Sequence, residues 1–263
     1  MLEMSYVGSG FHGFQSQPCG RAVQDVLEKA LATLLRHPVR IRGASRTDSG
    51  VHADHQVAVF KTDRPYSPRW LEGLNALTPR ELGIYTLREV PLEFDPIYHS
   101  VGKVYRYRLW HGRCYFAHAQ PHVWECSAEV DLGHLQKQLT AFEGRHDFAA
   151  FCNKDSDAKS TVRRIHQVRA YRQGNLTEIW VSGEGFLKQM VRILVGTAVD
   201  VVRGQLGSVS CADLLVPGTL RCAAGMTAPA KGLSLVQVCF DSIPDVESFS
   251  PLREPTLRFF LPI

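Results

Sequence analysis

The sequence lacks the features of several protein classes. No apolar run approaches the roughly 20 residues of a membrane-spanning helix. The start, M-L-E-M-S-Y, lacks the basic and then apolar pattern of a secretion signal. The seven cysteines are odd in number and form no C-x-x-C pair, which argues against a disulfide framework and a zinc ribbon. We therefore expect a cytoplasmic protein with reduced cysteines.

What the sequence does contain is enough apolar material for a folded protein. The chain has 263 residues, of which 44% are hydrophobic, so it can form one large domain or two small ones. Its formal net charge of +4 is compatible with a nucleic-acid partner without requiring one.

The hydrophobic periodicity predicts an α/β protein. The first third of the chain reads as strand, helix, strand, strand, helix, strand, which is the split β-α-β order of RRM-like and ferredoxin-like sheets. These segments are residues 2–7, 21–35, 39–41, 56–60, 68–76 and 84–90. Later segments predict strands at 101–110, 162–171, 176–181 and 232–240, and helices at 131–142 and 186–202. A G-x-G-x-x-G match at 8–13 does not open a helix, so we do not interpret it as a dinucleotide site.

The loop between the second and third strands carries the densest polar cluster. Arg46, Asp48, His52, Asp54 and His55 fall within ten positions. A carboxylate near a guanidinium stays ionised, and it can serve as a nucleophile, a base or a metal ligand. In the simpler alternative, Asp48 only caps backbone amides in an Asx-type turn beside the following glycine.

Two later segments also carry candidate functional residues. Basic and aromatic residues alternate along 101–110, with Lys103, Tyr105 and Arg106 suited to a stacking and phosphate surface, although aromatic strand residues are often ordinary core. The segment 186–202 is apolar nearly all round except for Arg192, which we expect in the helix interior. An unpaired guanidinium there would be destabilising, so it needs an anion, either a structural carboxylate or Asp48.

Residues 45–53, S-R-T-D-S-G-V-H-A, closely resemble the nucleophile loop of the TruA-type tRNA pseudouridine synthases, whose usual form is G-R-T-D-A-G-V-H-A. Other family motifs follow in order along the chain. They are Y-x-G-x-x-F-x-G-x-Q-x-Q-P at 6–18, K-x-Y-R-Y at 103–107, F-L-x-x-M-V-R-x-x-V-G at 186–196 and A-P-A-x-G-L-x-L at 228–235.

The resemblance implies an activity and a set of roles. The activity is isomerisation of uridine to pseudouridine at positions 38, 39 and 40 of the tRNA anticodon stem-loop, with base flipping and without a cofactor or a metal. Asp48 would be the nucleophile, Arg192 would pair with it, and Tyr105 would stack on the base. Arg46 would fill the place of the flipped uridine or bind its phosphate. The residues implied in RNA binding are Arg46, Lys103, Arg106 and, in the polar loop 153–160, Lys159.

The resemblance also implies an architecture. Two RRM-like halves, residues 1–98 and 99–263, would share a large, mostly antiparallel sheet with helices on one face and a central active-site cleft. The family works as a homodimer.

Two other classes of function remain open. A non-catalytic RNA-binding protein on the same fold would keep Lys103, Tyr105 and Arg106 but would not need Asp48 and Arg192, which are both present. A metal hydrolase would use His52, Asp54 and His55 as ligands. Three ligands within four residues of a loop entering a strand do not easily converge on one ion, which disfavours this alternative.

Overall fold

The structure, a computed structural model, describes residues 1–127, 129–153 and 158–249. The chain divides into two compact units. The first contains Met1–Val101 and Ser234–Asp241, and the second contains Gly102–Leu233 and the described residues from Ser242 onward. The halves proposed from the sequence, 1–98 and 99–263, had assigned the last strand to the second half, whereas it belongs to the first unit.

The predicted α/β class is confirmed by strands and helices that alternate along the described residues. The strands are β1 (Leu2–Tyr6), β2 (Ile41–Gly43), β3 (His52–Phe60), β4 (Leu82–Leu87), β5 (Gly102–His111), β6 (Trp124–Cys126), β7 (Gly144–Asp147), β8 (Val162–Gln173), β9 (Leu176–Gly183) and β10 (Leu233–Cys239). The helices are α1 (Val23–Leu35), α2 (Arg69–Leu77), α3 (Leu132–Thr140) and α4 (Met190–Val202). Among the helices described, none combines the length and the hydropathy needed to cross a membrane.

The first unit is built on a sheet with the strand order β4, β1, β3, β10, and β2 also pairs with β3. The pairs of β3 with β1 and β2 are antiparallel, whereas β10 runs parallel to β3. The apolar face of α1 is fully buried at Leu27 and Leu31, as are Leu2 and Met4 of β1. This burial confirms the amphipathic pattern predicted for the helix, because the same spacing of three and four residues supplies its core side.

The second unit has the strand order β5, β9, β8, β7, all antiparallel, and β6 runs parallel to β5. The side chain of Asp131 accepts a hydrogen bond from the backbone N–H of His134 at 2.6 Å, which confirms the predicted cap of α3. The short strands β6 and β7 were not predicted from the sequence. The four residues of β7, G-R-H-D, contain no apolar alternation that would mark a strand.

Helix α4 begins later than the sequence predicted. Gln189 precedes it with φ 61° and ψ 7°, a left-handed conformation that ends any helical continuity with the preceding residues. Met190 is therefore the first helical residue, and Arg192 lies in the first turn. The prediction that Arg192 lies in the helix interior is wrong, and the side chain is half-buried instead.

Small residues allow the segment 225–228 to approach the backbone of α4. A Cβ atom on Gly196 would lie 2.0 Å from the carbonyl oxygen of Met226. Any residue other than glycine would therefore clash with this carbonyl. The N–H of Gly225 donates to Thr197 Oγ1 at 3.0 Å, and the N–H of Ala228 donates to the carbonyl of Arg192 at 3.1 Å. The start of α4 is thus fixed against a second piece of backbone.

We predict that Gly196→Ala destabilises the protein although alanine is the better helix former. The added methyl group would overlap the Met226 carbonyl, and overpacking of this kind costs about 1–3 kcal/mol. The measurement is the melting temperature, with Gly185→Ala as the control because no atom lies within 4 Å of its Cβ position. Equal melting temperatures for the two variants would contradict the close contact.

Candidate active site

Asp48 lies in the loop between β2 and β3, in the first unit. Exposure alternates along this loop, so that Ser45 and Thr47 are buried, Arg46 is exposed and Asp48 is half-buried. The backbone carbonyl of Asp48 accepts a hydrogen bond from the N–H of Val51 at 3.1 Å, and this bond closes the turn. The loop therefore directs the two charged residues outward and anchors itself through the residues next to them.

The glycine-rich segment 8–14 supports this loop from one side. A Cβ atom on Gly8 would lie 2.1 Å from the Val51 carbonyl oxygen, and one on Gly13 would lie 2.8 Å from the Thr47 carbonyl oxygen. Gly13 also has φ 82°, which side chains rarely tolerate. These glycines match the G-x-G-x-x-G pattern because they allow close backbone packing, not because they open a helix.

The same segment ties the loop to the N-terminus of α1. The N–H of Phe14 donates to the carbonyl of Thr47 at 3.0 Å, and the carbonyls of Gly13 and Phe14 accept from the N–H groups of Val23 and Gln24. The first N–H groups of a helix need partners outside it. The segment supplies those partners, so the position of the Asp48 loop is coupled to α1.

Arg46 is exposed, and its side chain makes no hydrogen bond or ion pair with any other part of the chain that the structure describes. A guanidinium in that state is available for a phosphate, since it is always charged and offers five N–H donors. Its position two residues before Asp48 places this cation beside the candidate nucleophile along the loop.

The three side chains of the metal hydrolase alternative do not converge. Nδ1 of His52 accepts a hydrogen bond from the N–H of Gly8 at 3.1 Å, on the β1 side of β3. Nδ1 of His55 accepts from the N–H of Val238 at 3.2 Å, on the β10 side, and burial lowers the pKa of this ring. Across the described ranges, no group of three or more His, Cys, Asp or Glu side chains has the spacing of a metal site.

In the second unit, Tyr105 and Arg192 are associated with the same side of β5. Tyr105 is 6% exposed, and its ring packs edge-on against Phe186 at 5.1 Å between centroids. Tyr107, on the same face of β5, donates its hydroxyl to the carbonyl of Pro229 at 2.8 Å. Burial raises the pKa of Tyr107 well above its usual range, and the nearby Arg192 acts in the opposite direction.

The guanidinium of Arg192 is fixed by a hydrogen bond from its Nε atom. Its Nε donates to the carbonyl of Ala228 at 2.8 Å, next to the residue that binds the Tyr107 hydroxyl. A cation in the first turn of a helix is disfavoured by the partial positive charge of the N-terminal N–H groups. An anion near this guanidinium would offset that repulsion, and a carboxylate can meet the planar group at two points.

Arg106 does not lie where an RNA-binding residue is expected. It is 2% exposed, its guanidinium lies 5.2 Å from the ring centroid of Trp180, and its Nε lies 3.8 Å from Glu178. Alternation along β5 places it on the face opposite Tyr105. Arg108 follows on that face and donates from Nε to the same Glu178 at 2.8 Å. The RNA contact predicted at Arg106 does not fit this burial, and its contacts there are structural.

The other predicted RNA contacts are placed differently. Lys103 shares the Tyr105 face of β5 and is half-buried, and Lys159 is exposed. Residues 154–157 of the predicted RNA loop lie outside the described residues. Lys103 and Lys159 therefore stay predicted contacts, together with Arg46.

Comparison with known proteins assigns the family. A sequence model described as tRNA pseudouridine synthase matches residues 4–99 and 139–241. The chain is 40% identical over 240 residues to "tRNA pseudouridine synthase A" of Citrifermentans bemidjiense, covering 91% of this chain and 96% of that protein. It is 43% identical over 244 residues to the protein of the same name from Solidesulfovibrio magneticus, covering 89% and 88%. A third protein of this name, from Ruminiclostridium cellulolyticum, is 39% identical over 244 residues, covering 91% and 98%.

These matches define an isomerase that acts on tRNA. The chain belongs to the TruA-type tRNA pseudouridine synthase family.

Sequence reasoning missed the residues that hold the Asp48 loop. Tyr6 and Gln56 are 4% and 0% exposed and hydrogen-bond to residues on either side of Arg46. A glutamine directly before the apolar run V-A-V-F is a usable signal, because a buried amide needs partners.

We predict opposite effects for two neighbouring cations on β5. Arg106→Met should lower the melting temperature, because it leaves Glu178 with one fewer buried partner, and it should not weaken tRNA binding by the folded protein. Lys103→Met should weaken tRNA binding, reduce the salt dependence of log Kd by about one unit and leave the melting temperature nearly unchanged. Weaker tRNA binding by the folded Arg106→Met variant would instead support the predicted contact between Arg106 and RNA.

Proposed function

We propose that the protein converts uridine to pseudouridine in the anticodon stem-loop of tRNA with Asp48 as the nucleophile. The observation that carries this proposal is the Asp48 loop itself. Its carboxylate is half-buried, its backbone is fixed by the segment 8–14, and the exposed Arg46 stands two residues away. A nucleophile on such a loop is positioned before the substrate arrives, which lowers the entropic part of the barrier.

The chemistry needs a nucleophile and a path for protons. The bond between the sugar and a nitrogen of uracil must break. The uracil then turns and forms a new bond to the sugar through one of its carbons, and the net change involves no oxidation. An ionised carboxylate can form a covalent adduct that divides this rearrangement into easier steps. Asp48 is proposed to form that adduct, either with the sugar or with the base.

Three other residues complete the proposed site. Arg192 would hold the Asp48 carboxylate ionised and oriented through a two-point contact. Tyr105 would stack on the uracil, and its hydroxyl would assist proton movement. Arg46 would occupy the space left by the flipped nucleotide or bind its phosphate, because a base inside a helical stem must leave the stack before it can react.

The proposal extends to the assembly and to the sites modified. Positions 38, 39 and 40 of the anticodon stem-loop are the proposed targets, and a homodimer is the proposed working form. Mapping pseudouridine in tRNA from a strain that lacks the gene would test the positions. Light scattering of the purified protein would test the dimer.

We predict that Asp48→Asn forms no detectable pseudouridine, because the amide has the shape of the carboxylate but cannot form the adduct. The measurement is pseudouridine content after incubation with unmodified tRNA, together with the Kd for that tRNA, which should change little. Asp54→Asn is the matched control, since this exposed aspartate directly follows the motif 45–53 and has no role in the proposed mechanism.

Turnover by Asp48→Asn near the wild-type rate would exclude Asp48 as the nucleophile. Wild-type protein that binds tRNA but forms no pseudouridine would instead favour the non-catalytic RNA-binding function.

We predict that Arg192→Lys keeps the charge but loses the two-point contact with a carboxylate, so the rate falls by about a hundredfold. The melting temperature should change little, because a half-exposed ion pair contributes at most about 1 kcal/mol. Arg203→Lys, at the other end of α4, is the control. Wild-type activity of Arg192→Lys would exclude the bidentate role.

A further inference from the structure

Gln56 connects the β3 strand to the Asp48 loop through a fully buried side-chain amide. It is 0% exposed, and its Nε2 donates to the carbonyl of Ser45 at 2.7 Å. Its Oε1 accepts from the N–H of Ser45 at 3.3 Å and from the N–H of Val57 at 3.1 Å. The amide thus binds both backbone polar groups of Ser45, in the way that a neighbouring strand would.

Tyr6 forms the second connection. Its hydroxyl lies 2.8 Å from Thr47 Oγ1 and accepts from Gln56 Nε2 at 3.4 Å. Either hydroxyl can donate in the bond between Tyr6 and Thr47. Tyr6 is 4% exposed and Thr47 is 7% exposed, so this chain of bonds lies out of water. We call Tyr6, Thr47 and Gln56 the buried clamp.

The buried clamp holds alternate residues of the loop. Ser45 and Thr47 point inward and are bound, whereas Arg46 and Asp48 between and beyond them point outward. Loops usually owe their mobility to solvated backbone and few fixed contacts. Fixing two residues that flank Arg46, one of them directly before Asp48, restricts the backbone from which both functional side chains project.

A packing role alone would not need these polar groups. Buried polar groups are costly unless every partner is satisfied, and an apolar pair of similar shape would fill the same volume without that requirement. The clamp uses three polar side chains to fix one short loop, and the bonds described above bind Ser45 and Thr47 of that loop. The arrangement favours precision of the loop over stability of the core.

We propose that Tyr6 and Gln56 are positioning residues that set the rate of the chemical step by fixing the loop that carries Asp48. This inference rests on the proposed function, because it assumes that Asp48 is the reacting group. It predicts a loss in the rate constant with bound tRNA and no loss in tRNA affinity.

The central test is Tyr6→Phe, which removes only the hydroxyl that bonds to Thr47 and Gln56. The single-turnover rate constant at saturating tRNA should fall about tenfold, since small displacements of a reacting group have large effects on rate. The Kd for tRNA should stay within about twofold of wild type, because the exposed cations are untouched. Hydrogen exchange of the amides in 45–51 should accelerate, whereas exchange in α1 should not.

The matched control is Tyr66→Phe. The hydroxyl of Tyr66 also bonds to the first unit, donating to the carbonyl of Leu87 at 3.0 Å, but it has no contact with the clamp. It therefore reports the effect of losing one tyrosine hydroxyl bond, and its rate constant should equal that of wild type.

Thr47 allows a second, independent measurement. Thr47→Val should slow the rate constant as Tyr6→Phe does, and the double variant should be no slower than Tyr6→Phe alone, because the bond that Thr47→Val removes is already absent in Tyr6→Phe. Thr47→Ser keeps a hydroxyl and should restore most of the rate. If Thr47→Ser is as slow as Thr47→Val, or if the effects of the single variants multiply, the bond is not the cause.

The outcomes separate this inference from the proposed function. If wild type is active, Asp48→Asn is inactive and Tyr6→Phe has the wild-type rate with wild-type exchange in 45–51, the clamp inference is wrong and the proposed function stands. If Asp48→Asn retains activity, the proposed function fails. Faster exchange in 45–51 of Tyr6→Phe, with an unchanged rate, would show that the clamp holds the loop but does not set the rate, and this result would also overturn the inference.

Discussion

The close backbone contact between the segment 8–14 and the loop after β2 is the constraint on which the first unit's candidate site depends. At Gly8 and Gly13 the two backbones approach so nearly that a Cβ atom would overlap a carbonyl oxygen. Because backbone packed this closely cannot slide by fractions of an ångström, it defines one position for the loop. The carbonyls of Gly13 and Phe14 also bind the start of α1, so the loop takes its position from a helix and a strand together.

Alternation along a strand or loop determines which polar residues are available to a substrate. In the loop, the inward residues Ser45 and Thr47 are bound inside the protein, whereas Arg46 is exposed and Asp48 is half-buried. On β5, alternation places Arg106 on a buried face, where its guanidinium lies close to the Glu178 carboxylate. This arginine is therefore not available to a substrate. An arginine in a functional motif can therefore serve the fold while its neighbour serves the substrate.

The sequence predicted the elements whose local pattern agrees with their environment and failed where the environment decides. The period of α1 and the cap at Asp131 are local signals, and both predictions are confirmed. The polar β7 strand has no local signal, because backbone pairing with β8 creates it. The burial of Arg106 was missed for a related reason, since alternation separates two faces but does not reveal that both faces of β5 are buried. The motif around Asp48 was informative because it holds chemistry that ordinary turns do not need.

The late start of α4 changes what Arg192 can do. A guanidinium in the apolar interior of a helix would need a permanent anionic partner, since its removal from water is costly, and such a partner would belong to the fold. In the first turn the side chain is half-buried instead, and the hydrogen bond from its Nε to the Ala228 carbonyl defines its position. The left-handed Gln189 produces this difference, because it delays the start of the helix by a few residues and so places Arg192 in the first turn and not in the interior.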